Sequence, residues 1–501
     1  MDSVTATDTQ SKSIPEKPSR GIARDVGLLV IGSILAAAFS AITVFVIPRI
    51  TGVEDFGYWR LFLLYSTYVG FLHLGFGEGA LLLWAGKPLS EFHHELRPSL
   101  KFLFWQHSAI IVPSCLVAVF LLPAHTRFVA IAVLVYALLQ NTVTFLLCGL
   151  QAARRFRPVA IAVAAPSGLF LFFALLCLLR GRPDYRLLIA CYFVGWLLVL
   201  LILWMSVHPL RSNYTVGIWK LGKRCIWVGW PITLANTAFS LVQTSDRFVL
   251  SSAVPIYQFA QYSLAASTMM VPVAIITAAA RVFFPHLAAT DKEQHPEMYG
   301  QAARMIVLSW SVLLPYFFAV DFFVRHFIQQ YIPSLPTARV LLLSTVFIAA
   351  IQILQSSVFN LYGKQKHYLV YCLVSVAISL GLAAGAIYAF HSLLLVAAMQ
   401  VLSLAALWLF LARKLSPLTR ESWVDLVYAI LVFGWSAASL WLASSLSSNF
   451  LLRSALYWLI ATGPVALIYG KEIRQLGRVL GQLRFPQLFA CIRGPAFSEK
   501  Q

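Results

Sequence analysis

Successive apolar runs of about 20 residues, cut by short polar or basic segments, leave this chain few options, because each run is as long as a helix needs to cross bilayer hydrocarbon. Such runs fall near 26–48, 59–85, 100–122, 127–149, 159–179 and 186–207, and, after a basic linker, near 225–245, 258–284, 303–325, 338–361, 367–389 and 392–412. Two more follow near 423–445 and 452–470. Peptide groups in hydrocarbon have no water to bond, so the runs are expected to be helical. Hydrophobic side chains make up 60% of the 501 residues and charged ones only 11%, against about 25% charged in a soluble domain. A water-soluble enzyme is thereby excluded. The expected fold is an all-α polytopic membrane protein of about 14 transmembrane helices.

Charge sets the orientation. The chain carries 38 Lys and Arg against 19 Asp and Glu, and the cations sit mainly in short segments between apolar runs, which suits an anionic lipid surface and not nucleic acid. With the N-terminus inside, most of the cations, including Arg154, Arg155, Arg157, Lys220, Lys223 and Arg224, fall on the cytoplasmic side. The positive-inside rule then places both termini in the cytoplasm, with Arg180, Arg182 and Arg186 as the cluster that runs against it. The resulting division is a polar tail over 1–25, six spans over 26–207, a basic linker over 208–224, six spans over 225–412, two further spans over 413–470 and a basic tail over 471–501. Residues 471–483 place Ile473, Leu476, Leu480 and Leu483 near one helical face, away from Lys471, Arg474 and Arg478, as in an interfacial helix. The seven cysteines are scattered without paired spacing, so neither a disulfide framework nor a zinc site is indicated. The first apolar run exceeds the core of a signal peptide and is expected to stay as an uncleaved span.

Polar residues on one face of an apolar helix need a reason, since a charged side chain at mid-span costs about 2.5–3.5 kcal/mol on insertion scales. In the seventh span Asn236, Ser240, Gln243 and Arg247 stand at i, i+4, i+7 and i+11, within about 40° of one another on a helix. The eighth carries Ser263, Ser267, Thr277 and Arg281 at i, i+4, i+14 and i+18. The second has Arg60, Thr67 and Glu78 at i, i+7 and i+18, and the tenth has Thr345, Gln352 and Ser356 with Gln355 adjacent. Hydroxyls and amides alone would be read as glue between helices. The arginines on these stripes point further, to a shared aqueous cavity rather than to separate snorkelling side chains.

The acids suited to ion coupling are Glu78, Asp246 and Asp321. Two of them have a structural rival: Asp321 and Arg325 stand at i and i+4, as an ion pair would, and Asp246 adjoins Arg247 as its counter-charge, whereas Glu78 lies between Gly77 and Gly79 with no neighbouring cation and is the best coupling candidate. His73 falls about 140° from the face of the second stripe, which reads as helix packing, with proton sensing as the rival. His93 and His94 lack the spacing of a metal site, and none is expected. Prolines at 113, 166, 231, 272, 315 and 464 sit inside spans and are expected to kink them.

Weak internal similarity links the two sets of six. Phe56, Gly57, Tyr58 and Trp59 open the second span as Phe259, Ala260, Gln261 and Tyr262 open the eighth, an offset of 203 residues, while Arg49 and Arg247 close the first and seventh. The stretch from Gly149 to Arg155 likewise parallels that from Phe359 to Lys366. Units of six spans share one orientation, and the site of such parallel repeats lies between them near mid-membrane.

Pro48 followed by Phe56-Gly57-Tyr58-Trp59, the run from Gly75 to Gly79, the basic turn from Gln151 to Arg157, Gly229-Trp230-Pro231, and Asp246-Arg247-Phe248-Val249-Leu250 leading to Tyr262-Ser263-Leu264-Ala265 together resemble one known group. It is the polysaccharide flippase (Wzx-like) branch of the multidrug/oligosaccharidyl-lipid/polysaccharide exporter superfamily. The resemblance implies two six-helix lobes in a V plus two extra C-terminal helices, alternating between inward and outward openings. It implies a flippase for polyprenyl-diphosphate-linked oligosaccharide in the bacterial inner membrane, serving O-antigen, capsule or exopolysaccharide synthesis, with polymerase or export proteins as possible partners. Arg49, Arg60, Arg247 and Arg281 are then the positions that face the diphosphate, and only Arg247 lies inside a matched motif.

Chemistry leads to the same class. A diphosphate-linked glycan crosses hydrocarbon only if its charge is matched and its hydroxyls are bonded. Arginine forks match phosphate oxygens, and Asn236, Ser240, Gln243, Thr277, Gln352 and Gln355 are suited to sugar hydroxyls. No GxxxxGK[ST] loop occurs, and no cofactor is called for. The rivals are a cation-coupled drug exporter of the same superfamily, for which the first span lacks the acids, a lipid II flippase, and a membrane glycosyltransferase or polymerase. For that enzyme, Glu54 and Asp55 are the only acidic pair on an outer loop.

Overall fold

The computed structural model describes residues 20–181, 183–207, 217–273, 287, 290–447 and 449–482. Thr277 and Arg281 lie outside the described residues, as do 1–19 of the N-terminal tail, 208–216 of the linker and 483–501 of the C-terminal tail. The first six expected spans appear as α1 (Arg20–Ile50), α2 (Val53–Ser66) with α3 (Phe76–Trp84), α4 (Leu89–Leu121), α5 (Ala124–Ala152), α6 (Phe156–Arg180) and α7 (Tyr185–Val207). The second set comprises α8 (Ile218–Ala253), α9 (Ile256–Thr268), α10 (His295–Leu313) with α11 (Tyr316–Phe327), α12 (Leu335–Leu343) with α13 (Thr345–Ala349) and α14 (Ser356–Leu361), α15 (Gln365–Phe390) and α16 (Leu393–Thr419). Last come α17 (Trp423–Leu446) and α18 (Phe450–Gln482).

The chain is a multi-pass membrane protein. Among the described residues, 11 helical stretches are long and apolar enough to span a bilayer. The other three expected spans depart from that simple form. The second is broken: a short 3-10 turn, Val69–His73, separates α2 from α3, and Leu74 and Gly75 adopt left-handed backbone at φ 51° and 83°. The eighth is described only to residue 273, and the last contributes the shorter apolar stretch Phe450–Val465. Pro315 divides α10 from α11, whereas Pro113, Pro166, Pro231 and Pro464 lie within helices. Non-helical backbone at Tyr469 interrupts α18, which then continues to Gln482. The side chains of the expected amphipathic face from Lys471 onward lie outside the described residues.

Helix pairing repeats between the two sets. In the first, α1 lies on α6, α6 on α7, and α5 receives both α4 and the broken second span. In the second, α8 lies on α15, α15 on α16, and α12 receives α9 and α11. Small residues permit the close pairs, as is usual between membrane helices: a Cβ on Gly32 of α1 would stand 2.6 Å from the Ala160 carbonyl of α6. Between the sets, α2 meets α9, and α3 and α4 meet α8. α17 and α18 pair with each other and with α10.

Polar side chains tie helices together along these seams. Gln400 of α16 accepts from the Ser245 hydroxyl (2.9 Å) and donates to the Val242 carbonyl (2.7 Å) of α8. Ser311 and Ser436 join α10 to α17 at 2.8 Å, and the Tyr457 hydroxyl donates to the Ser311 carbonyl at 2.7 Å. All these groups are buried, where an unmade bond is costly.

A cavity of about 920 Å³ opens among α10, α13, α17 and α18, with Arg304, Trp408, Glu421, Asp425 and Tyr428 in its wall. Glu421 lies in the turn between α16 and α17, and burial together with the negative charge of Asp425 pushes its carboxyl up to about 7, against the pull of Arg413. Its ordinary value is 4.5, so the folded protein keeps the proton to higher pH than the unfolded chain does. Stability from this group therefore falls as pH rises from about 4.5 to about 7. Glu421→Gln is expected to raise the thermal unfolding temperature relative to the parent at about pH 8 and to leave it nearly unchanged at about pH 5; equal shifts at both pH values would refute the assignment.

Candidate functional site

Span two and span seven, one from each set, meet at the arginines. Arg60 of α2 and Arg247 of α8 lie close enough for their charges to repel one another. The Nε of each is buried without a hydrogen-bond partner. Arg247 is held mainly by its own helix: one terminal nitrogen donates to the Gln243 carbonyl at 3.5 Å, and its Nε stands 3.8 Å from Asp246 Oδ1. Asp246 is fully buried, accepting the Arg247 backbone N–H and the Tyr262 hydroxyl, each at 2.7 Å. Its second oxygen is thus committed to α9, leaving the Arg247 guanidinium with one loosely matched carboxylate. Half-buried cations short of counter-charge inside a membrane bundle are costly and mark a functional site by default.

Tyrosines and hydroxyls frame the pair. The Tyr68 hydroxyl bonds Thr244 of α8, and the Tyr65 hydroxyl bonds Ser251 at 2.9 Å. Phe248 packs edge-on against both tyrosines. Nearer the N-terminal end of α8 on the same stripe, Asn236 is exposed and Ser240 half-buried, with the Ser240 hydroxyl donating to the Asn236 carbonyl at 3.0 Å. Asn236, Ser240, Gln243 and Arg247 therefore run along one helix toward Arg60, as their spacing predicts.

Other expected site residues lie apart from this pair. Arg49 is exposed at the end of α1, its guanidinium over the Phe327 ring at 5.3 Å. It borders an apolar hollow of about 520 Å³ between α1 and α11, with Phe45, Leu175, Tyr316 and Phe323. Gln355 is fully buried and donates to the Trp408 carbonyl of α16 at 2.9 Å, so it serves packing inside the second set. Gln352 is half-buried in a π-helical stretch, Ala350–Gln355, and its carbonyl receives the Ser356 hydroxyl. Thr345, on the expected stripe of the tenth span, is buried and accepts from the Trp310 indole at 3.1 Å.

Asp321 forms the expected pair with Arg325, at 3.0 Å, and a second with Arg453 of α18, at 2.8 Å. Sequence spacing finds the first and has no signal for the second, 132 residues away. With both oxygens engaged, Asp321 is a fastening between α11 and α18. Asp321→Asn is expected to lower stability by about 1–3 kcal/mol and to leave any ion dependence of transport unchanged. Thermal unfolding and transport at varied Na⁺ and pH would separate the two, and a shifted ion dependence would restore Asp321 as a coupling group.

His73 is buried, and its Nδ1 stands 3.7 Å from Glu78 Oε2. The expectation that Glu78 lacks a neighbouring cationic group and that His73 turns away from its face rests on a continuous helix. The break at Leu74–Gly75 resets the angle and brings the two together.

Across the chain, the sequence profile described as "Polysaccharide biosynthesis protein" matches residues 22–291, more than half of its length. The chain belongs to this family. The matched region runs from near the start of α1 through α9 and so includes Arg60, Asp246, Arg247 and Tyr262. No curated protein gives a significant sequence match. Among solved structures, this member of the polysaccharide biosynthesis family is similar to the lipid II flippase MurJ in an inward closed conformation, with a TM-score of 0.70 at 13% identity over 89% of this chain and 99% of that one. It also resembles an outward-facing multidrug resistance MATE transporter of the MOP superfamily, with a TM-score of 0.56 at 16% identity over 81% and 100%. A third is a MOP superfamily transporter from Pyrococcus furiosus described as having a binding pocket of reverse polarity, with a TM-score of 0.51 at 14% identity over 81% and 100%. At these identities the likeness is one of fold alone.

Proposed function

We propose that this protein is a flippase that carries polyprenyl-diphosphate-linked oligosaccharide from the cytoplasmic to the outer leaflet of the bacterial inner membrane, by alternating access, with both termini in the cytoplasm. The observation that carries the reading is the pairing of Arg60 and Arg247, contributed by the two repeated sets and short of counter-charge. Two such forks suit a diphosphate. The stripe through Gln243, Ser240 and Asn236 offers hydrogen bonds to sugar hydroxyls beside it. Lining the apolar hollow at Arg49 are aromatic and aliphatic side chains, as a polyprenyl tail left in lipid between the lobes requires. By sequence spacing alone, Thr277 and Arg281 of the eighth span are further candidates to contact the same cargo.

A drug exporter for cations would need the opposite polarity at this point. Among the described residues the acid beside Arg247, Asp246, is buried and already bonded to Tyr262, which favours an anionic cargo. A lipid II flippase remains the nearer rival, because the MurJ structure gives the higher TM-score, 0.70. Reconstitution into proteoliposomes with labelled lipid-linked oligosaccharide tests the proposal. Unaltered substrate relocated to the opposite leaflet supports a flippase, whereas new glycosidic bonds would indicate a transferase or polymerase. Complementation of flippase-deficient strains that each need one defined glycan then distinguishes surface-polysaccharide carriers from lipid II.

A further inference from the structure

One nitrogen at the break in the second span has two competing partners. His73 Nδ1 accepts the Gly75 N–H at 3.1 Å, and the same atom stands 3.7 Å from Glu78 Oε2, an oxygen that is buried and accepts no hydrogen bond. An Nδ1 that accepts carries no proton, so the ring here is neutral with its hydrogen on Nε2. We propose that His73 and Glu78 form a proton-binding site whose occupancy decides whether the left-handed turn at Gly75 is tied to the His73 ring or released.

The exchange follows from hydrogen-bond inventory alone. A proton taken up at Nδ1 turns that atom from acceptor to donor. It then bonds Glu78 Oε2 as a charge-assisted pair, and the Gly75 N–H loses its acceptor. Gly75 is the residue that faces the other half of the molecule: a Cβ built on it would stand 2.3 Å from the Trp230 nitrogen of α8. Releasing its N–H loosens the turn on which the packing of α3 against α8 depends. Proton binding inside one half is thereby transmitted to the seam between halves, at the cytoplasmic end in the proposed orientation.

The surroundings isolate the pair. From α4, His107 faces it with both ring nitrogens engaged, Nδ1 with the Leu103 carbonyl at 2.9 Å and Nε2 with the Asn141 amide of α5 at 2.7 Å. Cys148 of α5 is near Glu78, and from α8 the Cys225 carbonyl abuts Gly79. Cys225 in turn feels the charges of Glu95 of α4, which accepts from the Trp84 indole at 2.7 Å, and of Arg224. His73 is thus the titrating group placed to answer Glu78.

Spin labels introduced as noncanonical residues at Lys87 and Lys220, both exposed beside the α3–α8 contact, test this in the full chain in nanodiscs. The expected result is a second, longer inter-label distance that grows as pH falls through the histidine range, about pH 8 to 5. His73→Gln, whose side-chain oxygen can still accept the Gly75 N–H, should hold the short distance throughout. Glu78→Gln should move the transition to lower pH, and it decides the matter if His73→Gln does not fold. A distance independent of pH in the parent protein overturns the proposal, as does a response that survives His73→Gln and disappears in His107→Gln. The distance measurement uses no glycan, so it fails or succeeds separately from the flippase reading on which a role in transport rests.

Discussion

Arg247→Ala is expected to reduce glycan export by roughly 10- to 100-fold, since hydrogen bonds to charged groups contribute about 1.5–3 kcal/mol each and 1.4 kcal/mol is tenfold. Arg60→Ala should act similarly, because Arg60 lies within electrostatic range of Arg247 across the α2–α8 seam. Arg60→Ala should not reduce the amount of protein in the membrane. Removing Arg60 relieves the repulsion with Arg247 in the resting protein, so a loss of export at normal or raised stability in that variant is the signature of a ligand site, whereas Arg247 also answers the buried Asp246. Lysine at either position should keep partial function, supplying charge without the planar fork. Export in a flippase-deficient strain, normalised to membrane protein level, checks this. Normal export in both alanine variants would remove the charge-matching role.

Much of this architecture is legible in sequence because one physical rule dominates: a helix in hydrocarbon must be apolar and about 20 residues long. Periodicity likewise places Asn236, Ser240, Gln243 and Arg247 on one line because α8 is unbroken from Ile218 to Ala253. The same arithmetic fails where the helix is not regular. Thr67 and Glu78 are on one face only of an ideal helix, and the turn at Leu74–Gly75 separates them while joining Glu78 to His73. In the tenth span the π-helical stretch Ala350–Gln355 shifts the register, and Gln355 ends on the Trp408 carbonyl. Contacts between distant segments, such as Asp321 with Arg453 or Asp246 with Tyr262, leave no periodic trace at all.

Gly79→Ala is expected to abolish transport as well, through sterics instead of charge. The motif glycines Gly75, Gly79 and Gly229 are where the backbones of α3 and α8 touch: a Cβ on Gly79 would stand 1.8 Å from the Cys225 carbonyl, and one on Gly229 would stand 2.0 Å from that of Gly75. Both obstacles are backbone, which cannot rotate away as a side chain can, so α3 and α8 must separate to admit even a methyl group. Overpacking of this kind costs about 1–3 kcal/mol, sometimes more, and the strain falls only on states in which the two helices are in contact. A transporter that must close this seam once per cycle should stall with it open, so added thiol reagent should reach Cys225, which is buried at present. Gly381→Ala and Gly434→Ala are the matched controls, as a Cβ at either meets nothing within 4 Å, and both should transport normally. Wild-type transport by Gly79→Ala, with Cys225 still protected, would mean that the close α3–α8 contact is not part of the working cycle.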